Sequence, residues 1–214
     1  MNKDLSNYRK SYDKSELLLS NVPDKPYSLF EDWFKIADNC DNIDEANAMT
    51  ISTIGTDGYP KSRVVLLKKY SEEGFVFFTN YKSEKGKAID HINKCCISFF
   101  WHTLEKQVII KGTVTKISEN DSDEYFNSRP KGSQLGALVS NQSEETSREI
   151  LLNRLKKLEI EYKNKSVPRP KHWGGYIIKP SEIEFWQGRP NRLHDRIFYT
   201  LQNDFTWKIT RLSP

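Results

Sequence analysis

Ala48-Met49-Thr50-Ile51-Ser52-Thr53-Ile54 is a short run dominated by β-branched residues. From Ala48 onward the apolar period is two, the spacing at which successive side chains point to opposite faces of an extended chain. Similar stretches, rich in Val, Ile, Phe and Thr, recur over residues 61–70, 75–80, 95–101 and 107–118. Turn chemistry separates them, as in Thr56-Asp57-Gly58 and Glu72-Glu73-Gly74. The pattern predicts a meander of antiparallel strands. Two more strands are expected on either side of Pro180, and a hairpin over 194–201 and 205–211 around Gln202-Asn203-Asp204. About eight short strands with helices between them predict a mainly β fold with flanking helices, a small closed or partly closed barrel.

Outward from the strands the period becomes helical. Ser28 is placed to cap a helix, with Glu31 three residues on completing a capping box, and Leu29, Phe30, Trp33, Phe34 and Ala37 give it an apolar face. Residues 144–163 predict the clearest helix, because Leu151, Leu155, Leu158 and Tyr162 recur at helical spacing between charges. Val167-Pro168-Arg169-Pro170 forces an extended connector after it. Residues 1–27 are polar, contain Pro23 and Pro26, and read as a flexible arm before a single domain over 28–214.

Bulk composition narrows the function. The 33 Lys and Arg against 29 Asp and Glu leave a net charge of +4, a mild excess that suits small anionic ligands and does not demand nucleic acid. Cys40, Cys95 and Cys96 form no C-x-x-C, so neither a disulfide framework nor a metal site is indicated, and reduced thiols in a cytoplasmic protein are expected. No apolar run is long enough to span a bilayer, and Met1 to Lys14 carries no apolar h-region.

Three clusters carry candidate chemistry. Ile183 to Arg196 packs Trp186, His194, Asp195 and three guanidiniums into one short segment. Read as an extended chain, Arg192, His194 and Arg196 share one side, a row of cation, titratable ring and cation suited to phosphate or electron-rich oxygen. In Arg63 to Lys68 an apolar stretch carries a cation at each end, and a regular strand sends the two to opposite faces. Tyr125, Arg129 and Ser133 are four residues apart, with Pro130 and Gly132 ending the helix before Ser133; a phenol, a guanidinium and a hydroxyl converging make a phosphomonoester cradle.

Taken together, Arg63-Val-Val-Leu-Leu-Lys68, Phe78-Thr79-Asn80, Trp101 to Gln107, Tyr125 to Pro130, Gln142-Ser143, Trp173-Gly174-Gly175 and the 183–196 segment resemble, in order and spacing, the pyridoxine (pyridoxamine) 5′-phosphate oxidases. The resemblance covers nearly the whole chain and implies an FMN-binding split β-barrel. It implies oxidation of pyridoxine or pyridoxamine 5′-phosphate at C4′ by hydride transfer to FMN, with dioxygen as final acceptor, giving pyridoxal 5′-phosphate and hydrogen peroxide. FMN contacts are implied for Arg63, Val64, Val65, Leu66, Leu67, Lys68, Phe78, Thr79, Lys85, Gln107, Gln142, Ser143, Trp186 and Arg196. Substrate phosphate is implied for Lys68, Tyr125, Arg129 and Ser133, and the reacting end for Arg192 and His194. Arg9 and Tyr12 are implied to close over the substrate, making the arm a lid, and a homodimer with FMN at its interface is implied.

One position departs from the family pattern: where relatives carry Arg-Lys, this chain has Glu84-Lys85, so a cation near the FMN phosphate has become an anion. Two other functions remain open to the sequence. One is a split barrel that reduces another substrate or only carries FMN, distinguished by Lys68, Tyr125, Arg129 and Ser133. The other is a basic β-barrel binding single-stranded nucleic acid through Trp101, Tyr81 and several Phe, distinguished by a steep salt dependence.

Overall fold

A computed structural model describes residues 3–214; the first two residues of the expected 1–27 arm lie outside the described residues. Strand pairing follows the order β2 (Pro60–Leu66), β1 (Ala48–Ile54), β5 (Lys94–Trp101), β6 (Lys106–Lys116), β7 (Trp173–Gln187), β4 (Gly74–Asn80), β3 (Lys69–Ser71). Beside this path, β8 (Asp195–Leu201) pairs with β7, and β9 (Trp207–Arg211) pairs with β8. This is not the expected meander: β1 with β2, β3 with β4, β5 with β6 and β8 with β9 pair as neighbours in sequence, but β4 finds its other partner in β7, far along the chain. Local turn signals specify hairpins and carry no information about such distant pairs.

Two further expectations are corrected along these strands. The segment 61–70 splits into β2 and β3, with the Lys68 N–H donating to the Val76 carbonyl at 2.8 Å between them. Pro180 does not separate two strands, because β7 runs through it. Trp173 to Ile178 pairs with β4 and Glu182 to Gln187 pairs with β8, so Pro180 falls in the gap between those two ladders, where its missing N–H is tolerated.

The described chain forms two compact units. The first comprises the chain up to Thr50, Ile97–Lys111 and Pro180–Pro214. Its core is aromatic: Phe30 meets Phe99 edge-on at 5.3 Å and Trp33 meets Phe185 edge-on at 5.2 Å, contacts that add to simple area burial. Phe30 and Trp33 come from α1 (Pro26–Asp38), which buries Leu29, Phe30, Trp33 and Ala37 as its spacing requires. Ser28 is not its cap. Lys25 holds the cap position and Pro26 the first helical turn, where a fixed φ and an absent N–H cost nothing, so Ser28 lies inside the helix.

The second unit comprises Ile51–Cys96 and Gly112–Lys179. Here α3 (Glu119–Ser128), α4 (Lys131–Val139) and α5 (Arg148–Glu161) surround a cluster of Phe126, Leu135, Val167 and Trp173. Ser118 and Ser147 cap α3 and α5, accepting from the N–H groups of Asp121 and Ile150. Leu155, Leu158 and Tyr162 pack on the cluster, the face their spacing specifies. Gly132 does not end α3, which stops at Ser128: Pro130 caps the next helix, Gly132 lies inside it, and Ser133 falls in the first turn of α4. The short α2 (Glu84–His91), capped by Ser83, packs tightly, since a Cβ on Gly86 would meet the Tyr81 carbonyl oxygen. No helix among the described residues is long and apolar enough to cross a membrane.

Phe126 is fully buried at the centre of the second unit's cluster. Phe126→Ala should lower unfolding free energy by about 3–5 kcal/mol in urea titration, the usual effect of emptying an aromatic core site.

Candidate phosphate and vitamer sites

In the second unit a cavity of about 520 Å³ is lined by Val64, Val65 and Leu66 of β2, by Lys68, by Phe78 and Thr79 of β4, by Lys85 of α2, and by Tyr125, Arg129, Ser133 and Gln142. No carboxylate is in its lining. Arg129 caps the C-terminus of α3, its guanidinium lies 4.6 Å over the ring of Trp173, and its Nη1 is buried with no hydrogen-bond partner. Buried donors are nearly always satisfied, so this nitrogen marks a place for an acceptor. Burial lowers the pKa of Arg129 from its ordinary value without removing the charge. Phe78 stacks on Tyr125 at 3.9 Å and on Trp173 at 5.5 Å, fixing the phenol beside the guanidinium.

Lys85 is buried, and its ammonium donates to the Thr79 hydroxyl at 3.3 Å. Burial first, and the Arg63 guanidinium second, lower its pKa, while Glu84 opposes them. Arg63 donates to the Thr53 hydroxyl at 2.7 Å, and its pKa is lowered chiefly by burial. Glu84 is held by Lys61 at 2.5 Å, and its N–H donates to the Ser143 hydroxyl, which ties the left-handed Ser143 (φ 72°) to the start of α2. The anion that departs from the family pattern therefore has its own counter-ion on β2.

In the first unit a second cavity, about 620 Å³, is lined by Arg9, Lys10 and Tyr12 of the arm and by Arg189, Arg192 and His194. The expected extended row is corrected here. Pro190–Arg192 is a turn in which Asn191 and Arg192 are left-handed, with φ of 57° and 62°, and the strand begins only at Asp195. Arg192 and His194 still share the cavity, but Arg196 does not. Its fork is bidentate on Glu184 at 2.8 and 3.0 Å, and Nη1 donates to the Ser213 carbonyl. A left-handed arginine is strained backbone of the kind that persists where the surroundings over-determine it, often at ligand sites.

His194 has a defined tautomer. The Arg189 N–H donates to Nδ1 at 3.1 Å, so that nitrogen is an acceptor and the neutral ring carries its proton on Nε2. Burial, with Arg192 next, lowers the pKa of His194, and Asp195 partly offsets them. Trp186 lies 4.8 Å from the imidazole, and Tyr12 meets Trp186 edge-on at 5.7 Å. Of the remaining candidates, Leu67 is buried beside the first cavity's strand, Ser143 lines a smaller neighbouring pocket, and half-buried Gln107 lines neither of the two large cavities. Sequence reasoning missed Trp173 as the platform for Arg129 and Arg189 as the partner of His194. The first could have been suspected only from the resemblance, the second from its place in the dense 183–196 segment.

The chain matches the family profile described as pyridoxamine 5′-phosphate oxidase over residues 38–162, and the pyridoxine 5′-phosphate oxidase C-terminal dimerisation region over 173–214. It is 62% identical over 213 residues to the pyridoxine/pyridoxamine 5′-phosphate oxidase of Flavobacterium psychrophilum, covering 99% of this chain and 100% of that one. The oxidase of the same description from Flavobacterium johnsoniae is 63% identical, with 98% and 99% covered. The chain belongs to the pyridoxine/pyridoxamine 5′-phosphate oxidase family.

A solved structure of PhzG from Burkholderia lata in complex with tetrahydrophenazine-1-carboxylic acid matches with a TM-score of 0.87 at 27% identity, over 94% of this chain and 100% of that one. A pyridoxamine 5′-phosphate oxidase-related, FMN-binding protein from Nostoc punctiforme shares the fold at a TM-score of 0.72 and 12% identity, with 89% and 98% covered. The mainly β chain with its flanking helices is thus a split-barrel member of the family.

Because Arg192 is one cause of the lowered pKa of His194, Arg192→Gln should move that pKa upward. The imidazole C2-proton resonance, followed by NMR across pH 5–8, should show a later midpoint than in the wild type.

Proposed function

We propose that this chain is an FMN-dependent oxidase that converts pyridoxine and pyridoxamine 5′-phosphates to pyridoxal 5′-phosphate, with dioxygen as final electron acceptor and hydrogen peroxide as product, water releasing the nitrogen of the amine as ammonia. The observation that carries the reading is the buried, unpartnered Arg129 Nη1 in a cavity that also gathers Lys68, Lys85, Tyr125 and Ser133 and has no carboxylate in its lining. That donor set fits phosphate monoesters, which both FMN and the vitamers carry. Relatives named for this activity match over essentially the full chain.

Residue roles follow the chemistry of each group. Lys68, Tyr125, Arg129 and Ser133 bind the vitamer phosphate, and Lys85, with Arg63 behind it, balances the charge of the FMN phosphate. Val64, Val65, Leu66, Leu67, Phe78, Thr79, Gln142 and Ser143 complete the cofactor's surroundings in this reading, while Gln107, Trp186 and Arg196 are assigned to the cofactor by the resemblance alone, Arg196 being held by Glu184. Bound FMN supplies the capacity to accept two electrons and deliver them to dioxygen. Arg192 contacts the polar substituent at the reacting end of the vitamer. His194, neutral and protonated on Nε2 while Arg189 holds Nδ1, offers a donor and no positive charge there. Arg9 and Tyr12 close over the bound vitamer, making the arm of residues 1–27 a lid. A homodimer belongs to the same proposal, supported by the match to the family's dimerisation region at 173–214.

Purified protein incubated with FMN, oxygen and each phosphorylated vitamer should yield aldehyde and peroxide in equal amounts; peroxide without aldehyde would refute the assignment. Arg129→Ala should lower kcat/KM for the phosphorylated vitamers by about ten- to hundredfold, the loss of a charge-assisted hydrogen bond. Glu84→Arg should tighten FMN binding by about three- to tenfold in a fluorescence titration, a modest gain because the position is half exposed and the substitution also removes the pair with Lys61.

A further inference from the structure

Glu105 is a buried carboxylate that lines neither large cavity. It sits at the end of a 3-10 turn over His102–Leu104, in left-handed conformation with φ of 55°, and its side chain is 1% exposed. One carboxylate oxygen, Oε2, accepts the N–H groups of Asp13 at 2.9 Å and Lys14 at 3.1 Å. The other, Oε1, has no hydrogen-bond partner, and its nearest cation is Lys10 at 4.0 Å. A buried carboxylate is costly unless donors reach it, and the hydrogen bonds it accepts come from the main chain of the arm.

The turn that presents Glu105 is held from behind. Its carbonyl accepts the Gly188 N–H at 2.8 Å and the Gln187 side-chain amide at 3.1 Å. Gln187 is in turn fixed by the ammonium of Lys106 at 2.5 Å, which also lies 4.0 Å over the Trp33 ring. Burial lowers the pKa of Lys106 to about 8. The arm is gripped again a few residues on, where Asp195 accepts the Leu17 N–H at 3.0 Å and Arg189 donates to the Ser15 carbonyl at 3.0 Å. Next to the first grip is Tyr12, edge-on to Trp186 and so near Gly188 that a Cβ there would come within 2.8 Å of the Tyr12 Cβ. Tyr12 and Arg9 line the cavity that Arg192 and His194 share.

We infer that Glu105 is a positioning residue: its carboxylate latches the arm's main chain at residues 13 and 14, and so holds Arg9 and Tyr12 over the cavity lined by Arg192 and His194. What the cavity binds rests on the function proposed above; the latch itself does not. Glu105 touches no substrate. It acts by keeping two side chains that do from being lost to the motion of an otherwise exposed segment, so its removal weakens vitamer capture more than it slows the chemistry.

The test uses full-length protein loaded with FMN. In the wild type, hydrogen exchange should find the amides of Asp13, Lys14 and Leu17 protected while those of residues 5–11 exchange quickly; unprotected amides at 13 and 14 overturn the latch without any variant. Glu105→Gln keeps the size and one acceptor oxygen. It should raise KM for pyridoxine 5′-phosphate by about five- to tenfold, with kcat within about twofold. Bound FMN should be unchanged, and trypsin cleavage after Arg9, Lys10 and Lys14 should be faster. A fall in kcat and FMN content together with KM would mean a structural role and overturn the proposal, as would an unchanged KM in a variant whose arm amides have lost protection. If the wild type itself does not oxidise the vitamer, the functional reading has failed, and amide protection with trypsin sensitivity still decides the latch.

Discussion

Like charges that line one cavity with no carboxylate among them are the constraint on which the second unit is organised. Lys68, Lys85 and Arg129 line one cavity that has no carboxylate in its lining, and Arg63 is near enough to depress Lys85. Such an arrangement is self-repelling in the absence of an anion, so it must be imposed by the scaffold. The imposing elements are ordinary ones: an aromatic stack of Tyr125, Phe78 and Trp173 under Arg129, a serine cap that starts α2 beside Lys85, and a helix break at Pro130 that delivers Ser133. The Phe126 cluster packs against Phe78 and Tyr125, so the walls that hold these cations are continuous with the unit's core.

The first unit treats its cations in the opposite way. Arg196 is neutralised by Glu184, and Arg211 and Arg189 by Asp195. Those pairs fix the scaffold while Arg192, on a left-handed turn, remains in the cavity lining with His194. A neutral imidazole between charged neighbours is a consequence of this arrangement, because Arg192 and desolvation both disfavour a second positive charge. Arg189 does both, pairing with Asp195 and lining the cavity beside Arg192, whereas Arg196 and Arg211 serve the scaffold alone.

Strand positions were legible because period-two patterning is local: β1, β4, β5 and β6 fall within a residue or two of their expected bounds. Pairing was not, since β4 with β7 joins segments about a hundred residues apart and nothing in either announces the other. Pro180 misled because a proline rule written for ladders fails in a gap between ladders. Ser28 looked like a cap until Pro26, a stronger starter, claimed the first turn. At the sites, Lys68, Tyr125, Arg129 and Ser133 were found by spacing and resemblance together, and the structure gathers them. Arg196 was grouped with Arg192 and His194 on the assumption of a straight strand, which the turn at Asn191 breaks. Glu105 lies in the Trp101 to Gln107 stretch that carries the resemblance, but a glutamate between a leucine and a lysine reads as surface, and only the fold shows it buried.

The grip on the arm has an implication for how this segment can vary. Glu105 and Asp195 take hold of amide N–H groups at positions 13, 14 and 17, not of side chains. Any amino acid presents the same handle there, with proline as the sole exception. Drift at position 13 therefore leaves its main-chain bond intact, whereas positions 14 and 17 also carry side-chain contacts, the Lys14 ammonium on the Thr103 carbonyl at 2.6 Å and the buried Leu17.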